Sequence, residues 1–167
     1  MENKKFLTVM AVFDFETQQK LGEMQKLLME KVGEGTQTMG IPFHLTCGSY
    51  PTEQVNEVVE KIKRVAAVSK SFALELGSYK TFSERVLFLE PTVPEELLAL
   101  RRSFESDYAN GFDWVPHATL FCGNEREVKK ALTLLPELSA PLCARIVGIE
   151  LGEFFPAKKI IRIDFED

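Results

Sequence analysis

Histidine is the side chain best suited to moving protons near neutral pH, and this chain of 167 residues holds two, His44 and His117. Their surroundings match. The first run reads Ile41-Pro42-Phe43-His44-Leu45-Thr46-Cys47-Gly48; the second reads Val115-Pro116-His117-Ala118-Thr119-Leu120-Phe121-Cys122-Gly123. Residues two apart in a strand point to the same face. His44 and Thr46 therefore share a face, as do His117 and Thr119, and each pair sets an imidazole beside a hydroxyl that both donates and accepts. Phosphodiester hydrolysis needs one proton taken from the attacking water and another delivered to the leaving oxygen. Two imidazoles on opposite sides of a phosphorus suit that displacement, each contributing roughly 10²–10⁴-fold in rate. The threonines would donate to the non-bridging oxygens, where charge builds up. One histidine beside a strand threonine is usually a hydrogen-bonded core or surface residue. Two copies 73 positions apart, exhausting the histidines of the chain, point to a shared site.

The elements that must carry these pairs are legible from hydrophobic periodicity. Phe6 to Phe13 reads as a buried strand. A helix follows from about Glu16 to Val32, with Leu21, Met24, Leu28 and Val32 in register and Gly33 and Gly35 ending it. Ile41 to Cys47 reads as a strand, and Thr52 as the cap of a helix with the stripe Val55, Val58, Val59, Ile62, Val65 and Ala66. Phe72, Leu74 and Leu76 alternate as in a half-buried strand, and Arg85 to Leu89 gives another. The second half continues with a helix from about Pro94 to Tyr108, broken by Asn110-Gly111, and a strand from Trp114 to Cys122. Asn124 with Glu127 forms a capping-box pattern for a helix ending before Pro136. Strands near Ala144–Leu151 and Lys159–Phe165 pair as antiparallel neighbours. The class expected is α+β, with residues 1–167 in one domain.

Charge and cysteine content exclude several function classes. The formal charge is −5 and the pI about 5.2, whereas a protein gripping long nucleic acid carries a basic field. A small nucleotide or an RNA terminus fits as partner; long nucleic acid does not. No apolar run nears the ~20 residues of a bilayer span, and the opening Met1-Glu2-Asn3-Lys4-Lys5 leads into a strand without a secretory h-region. Three dispersed cysteines suit a reducing compartment. The expectation is a cytoplasmic, monomeric protein without a membrane partner. Phosphatase-like cysteine chemistry needs an arginine six residues on, and Glu53, Val128 and Ile149 stand there instead. Regular strand parity would also turn Cys47 and Cys122 away from the histidines. No HExxH, HxH or phosphate-loop pattern is present, so neither a metal nor a cofactor is expected.

The paired His-x-Thr tetrads, one in each half of an α+β chain, resemble the two-histidine phosphoesterase superfamily, whose members include the 2′-5′ RNA ligase-like 2′,3′-cyclic phosphodiesterases. The stretch Arg85-Val86-Leu87-Phe88-Leu89 before an acidic helix adds to the likeness. The resemblance implies a bilobal fold, two antiparallel sheets with flanking helices around a central cleft and a pseudo-two-fold internal repeat. It implies metal-independent hydrolysis of a 2′,3′-cyclic phosphate or similar diester. His44 and His117 would be catalytic, and Thr46 and Thr119 would hold the phosphate. Phe43, Tyr50, Trp114 and Phe121 lie near the tetrads and offer faces on which a base could stack; Arg85 and Lys80 could add positive charge. A rival reading keeps the fold but binds or senses a nucleotide or RNA end without turning it over.

Overall fold

The computed structural model describes residues 4–106, 108, 113–135 and 141–167. The chain runs β1 (Phe6–Phe13), α1 (Phe15–Lys31), β2 (His44–Pro51), α2 (Val55–Val68), β3 (Phe72–Phe82), β4 (Val86–Pro91), α3 (Glu95–Ser103), β5 (Ala118–Cys122), α4 (Glu125–Leu134), β6 (Leu142–Phe154) and β7 (Lys158–Asp164). Among the described residues no helix is long and apolar enough to cross a membrane.

Local chemistry explains the helix ends. The Asp14 carboxylate accepts from the Thr17 amide at 3.1 Å and starts α1. Leu21, Met24 and Leu28 form its buried stripe. At α4 the Asn124 side chain accepts from Glu127 N while Glu127 reaches back to Asn124 N, the reciprocal box that the sequence indicates. Thr52 does not cap α2. It opens a short 3₁₀ turn, Thr52–Gln54, behind Pro51, and no side chain caps α2. The helix expected to reach Tyr108 stops at Ser103. Asn110, Gly111 and Pro136, read as breaks, lie outside the described residues.

The two-sheet, bilobal arrangement is not what forms. The strands make one seven-stranded sheet in the order β2-β1-β6-β3-β4-β5, with β7 also on β6, and every ladder is antiparallel. The cause is the length of β6. Its first residues, Leu142–Ile146, pair with β3, and the rest, Gly148–Glu153, with β7; its other edge pairs with β1 from Ile146 to Phe154. One 13-residue strand thus carries the hydrogen bonding of both halves of the chain without interruption. The path's end strands, β2 and β5, contact each other, so the sheet curves round to bring the two tetrads together.

The two faces differ. Leu7, Val9, Ala11 and Phe13 of β1 point into the main core with α1 and α2. Met10 and Val12 point the other way, into a smaller cluster with Phe154, against which Phe6, Ile41 and Ala157 pack. Burial on both faces makes β1 a continuous apolar run. Gly48 admits the chain after α3 onto β2: a Cβ there would lie 2.0 Å from the Phe104 carbonyl oxygen. Gly48→Ala is expected to lower stability by about 2–3 kcal/mol through overpacking, read as a lower urea midpoint at unchanged slope.

Candidate active site

Each histidine stands at the mouth of its strand: His44 is the first residue of β2, and His117 immediately precedes β5. Both rings are fixed in one manner. His44 Nδ1 lies 2.8 Å from the Pro42 carbonyl, and His117 Nδ1 lies 2.7 Å from the Val115 carbonyl, each two residues back. A carbonyl only accepts, so both Nδ1 atoms must carry hydrogen. Nε2 is left on each ring to take or give a proton. Burial, and then the charge of His117, push the His44 pKa below the usual imidazole value. Phe82 and Phe88 meet the His117 ring edge-on at 4.9 and 5.5 Å between centroids and hold it from one side.

A cleft of about 220 Å³ is lined by His44 and Thr119, one residue from each tetrad, with Gln25, the 37–43 loop and Cys122. The loop is tied to β5. Thr36 N donates to the Cys122 carbonyl at 2.7 Å, Gln37 Oε1 accepts from Cys122 N, and Gln25 Nε2 donates to the Leu120 carbonyl at 2.8 Å. On the other side, Trp114 Nε1 donates to the Thr46 carbonyl at 3.0 Å. Arg101 lies over the Trp114 ring and donates to the Cys47 carbonyl at 2.8 Å. The segment that delivers His117 is therefore strapped to the strand that carries His44.

Both tetrad strands break register directly after their threonine. Met10 pairs with Thr46 but Val9 with Gly48, leaving Cys47 over; Phe88 pairs with Thr119 but Leu87 with Phe121, leaving Leu120 over. These β-bulges reverse side-chain parity. Tyr50 would share the His44 face in a regular strand. It instead pairs with Leu7 and lies in the core at 5% exposure, its hydroxyl without a hydrogen-bond partner among the described residues. Phe121 is likewise core. Cys122, expected to point away, lines the cleft. Cys47 is buried as expected, and burial pushes its thiol up to about 12, far from thiolate chemistry at neutral pH.

Of the remaining candidates, Phe43 lines the cleft, its amide and carbonyl both bonded to the Gln18 side chain. Trp114 acts as a strap. Arg85 is exposed at the β3–β4 turn, and its carbonyl accepts from Gly123 N at 3.0 Å. Lys80 is paired with Glu90. Gln25, Gln37, Phe82 and Phe88 escaped the sequence reading; the strand pairing that sets Phe88 opposite Thr119 is the signal that finds it. Among the described residues no group of three or more His, Cys, Asp or Glu could hold a metal ion.

The family model of the 2′-5′ RNA ligase superfamily matches residues 50–153, a span that includes His117 and Thr119 and begins just after Thr46. The chain belongs to the 2′-5′ RNA ligase superfamily. No curated protein sequence matches it significantly. Among solved structures, TT0787 of Thermus thermophilus is 17% identical, with a TM-score of 0.65 over 96% of this chain and 97% of that one. E. coli LigT complexed with ATP is 19% identical, with a TM-score of 0.62 over 98% of both chains. The same protein complexed with 3′-AMP is 14% identical, with a TM-score of 0.59 over 99% of this chain and all of that one. At these identities the likeness establishes the shared fold. Superfamily membership makes the chain a phosphoesterase of the two-histidine type at family level.

Proposed function

We propose that this superfamily member hydrolyses a 2′,3′-cyclic phosphate on a nucleotide or RNA end without a metal, using His44 as base and His117 as acid. The observation that carries the reading is the shared anchoring of the two imidazoles. Each is held through Nδ1 by the carbonyl two residues back, at the mouths of two strands in contact, with His44 and Thr119 on one cleft. The lowered pKa of His44 keeps its Nε2 unprotonated at neutral pH, the state a base requires. His44 Nε2 takes a proton from water as the water oxygen bonds to phosphorus. The ribose oxygen then leaves with a proton from His117 Nε2. Thr46 and Thr119 donate to the non-bridging oxygens.

Hydrolysis of a panel of 2′,3′-cyclic mononucleotides in the presence of EDTA tests this. Turnover is expected to be the same with and without the chelator. Abolition by EDTA would overturn the metal-independent chemistry. Tight binding of unchanged ligand would move the protein to the non-catalytic binding reading.

A further inference from the structure

Helix α1 reaches both tetrads through two glutamines. Gln18 and Gln25 stand seven residues apart, about two turns or ~10 Å along the axis, and so lie on one face of the helix. Each side chain bonds to main chain beside a tetrad. Gln18 Nε2 donates to the Phe43 carbonyl and Gln18 Oε1 accepts from Phe43 N, both at 2.8 Å, which fixes the residue directly before His44. Gln25 Nε2 donates at 2.8 Å to the carbonyl of Leu120, the residue directly after Thr119. Gly22 lies between the glutamines on the same face, and the Phe43 ring comes down on it: a Cβ there would be 4.0 Å from the ring carbon Cε2. The helix is itself seated by its Asp14 cap and by buried Leu21, Met24 and Leu28, so the two grips belong to one rigid body.

Leu120 is the buried residue left over by the β5 bulge. A bulge interrupts the ladder, and a buried carbonyl without a partner is costly; Gln25 supplies the partner at that point. The other tetrad uses the same device, for the carbonyl of Cys47, the residue left over in β2, is bonded to Arg101 of α3. Were the β5 bulge to move by one residue, Thr119 would turn to the opposite face and leave the cleft it lines with His44. We propose that Gln18 and Gln25 are positioning residues, and that α1 is the spacer that sets the distance from His44 to Thr119. Their effect passes through the main chain at Phe43 and Leu120. Its consequence for rate rests on the proposed phosphoesterase reading, in which the base must reach water while the hydroxyl reaches a phosphate oxygen. In such an arrangement a misplacement of about 1 Å can cost roughly 10²-fold.

Kinetics with a 2′,3′-cyclic mononucleotide, in the wild type and in Thr119→Val, test the spacer. Gln18→Met and Gln25→Met keep side-chain length and helix preference and remove the amide. Each is expected to lower kcat roughly tenfold with KM little changed, the effect of a shift of a fraction of an ångström. Gln25→Lys, which returns an N–H donor, should recover most of the rate. In Thr119→Val, Gln25→Met should cost nothing further, because it acts through that hydroxyl, whereas Gln18→Met should cost its full tenfold. Wild-type kcat in both methionine variants, or the same loss from Gln25→Met with and without the Thr119 hydroxyl, would overturn the proposal. If Gln18→Met does not fold, Gln18→Glu, which keeps the acceptor for Phe43 N, takes its place. Equilibrium binding of a uridine–vanadate complex, whose five-coordinate vanadium resembles phosphorus under attack, needs no turnover. A wild type that binds it but hydrolyses no cyclic mononucleotide would end the phosphoesterase reading alone. The spacer is then judged on vanadate affinity, where the same pattern is expected and uniform affinity across the variants would overturn it.

Discussion

Replacing either His44 or His117 with alanine is expected to lower turnover of a 2′,3′-cyclic nucleotide by roughly 100-fold or more, the range for loss of a placed acid or base. Neither change should cost much stability. Each ring makes one hydrogen bond, local to its own strand end, to the carbonyl two residues back. Unfolding midpoints close to wild type would separate a chemical defect from a structural one. The pH profile of kcat/KM sharpens the assignment. His44 is depressed by burial and by His117, so it stays neutral until the pH falls below the ordinary imidazole value of about 6.5. The acid limb should therefore lie below that value, as His44 takes up the proton that disables it as a base. If either alanine variant kept near-wild-type turnover, or if the profile stayed flat from about pH 5 to 9, the division of labour between the two rings would be wrong.

What the sequence discloses and what it hides divide along the line between local and non-local interactions. Strand β1 and the α4 capping box were readable because each depends on residues a few positions apart: eight consecutive apolar or β-favouring residues in one, Asn124 and Glu127 in the other. The shared faces of His44 with Thr46 and His117 with Thr119 follow from strand parity, and the half-buried state of all four beside buried Leu45 and Ala118 agrees with it. Parity fails one residue later. The bulges at Cys47 and Leu120 depend on which strand lies opposite, and nothing within His44–Gly48 or His117–Gly123 announces them. For that reason Tyr50 and Phe121, candidates by their nearness to the tetrads in sequence, lie in the core, and Cys122, turned away by regular parity, lines the cleft. The single sheet was hidden for a related reason. Its continuity depends on β6 changing partner from β3 to β7 at one edge while keeping β1 at the other. A resemblance to a bilobal family cannot reveal where a strand changes partner.

The same bulge shapes the second large effect, at Thr119. This threonine is the last residue of β5 before the register breaks. It lines the cleft with His44 while Leu120 and Phe121 behind it are both buried, which fixes the backbone that carries its hydroxyl. Under the proposed mechanism its hydroxyl would stabilise charge that builds up on the phosphate as water attacks, so its contribution should fall on the chemical step. Thr119→Val keeps the shape and the strand preference and removes only the hydroxyl. It is expected to lower kcat roughly 100-fold, as loss of one preorganised donor does, with KM little changed. Thr119→Ser, which returns a hydroxyl without the methyl, should recover most of the rate. A valine variant with unchanged kcat and a raised KM would reduce Thr119 to a ground-state phosphate contact. An unchanged kcat and KM would remove it from the site. The comparison of valine with serine matters because a structural threonine would respond in the opposite order: serine gives up the methyl and packs less well, whereas valine fills the same space. A rate restored by serine and lost with valine is therefore a signature that only the hydroxyl can produce.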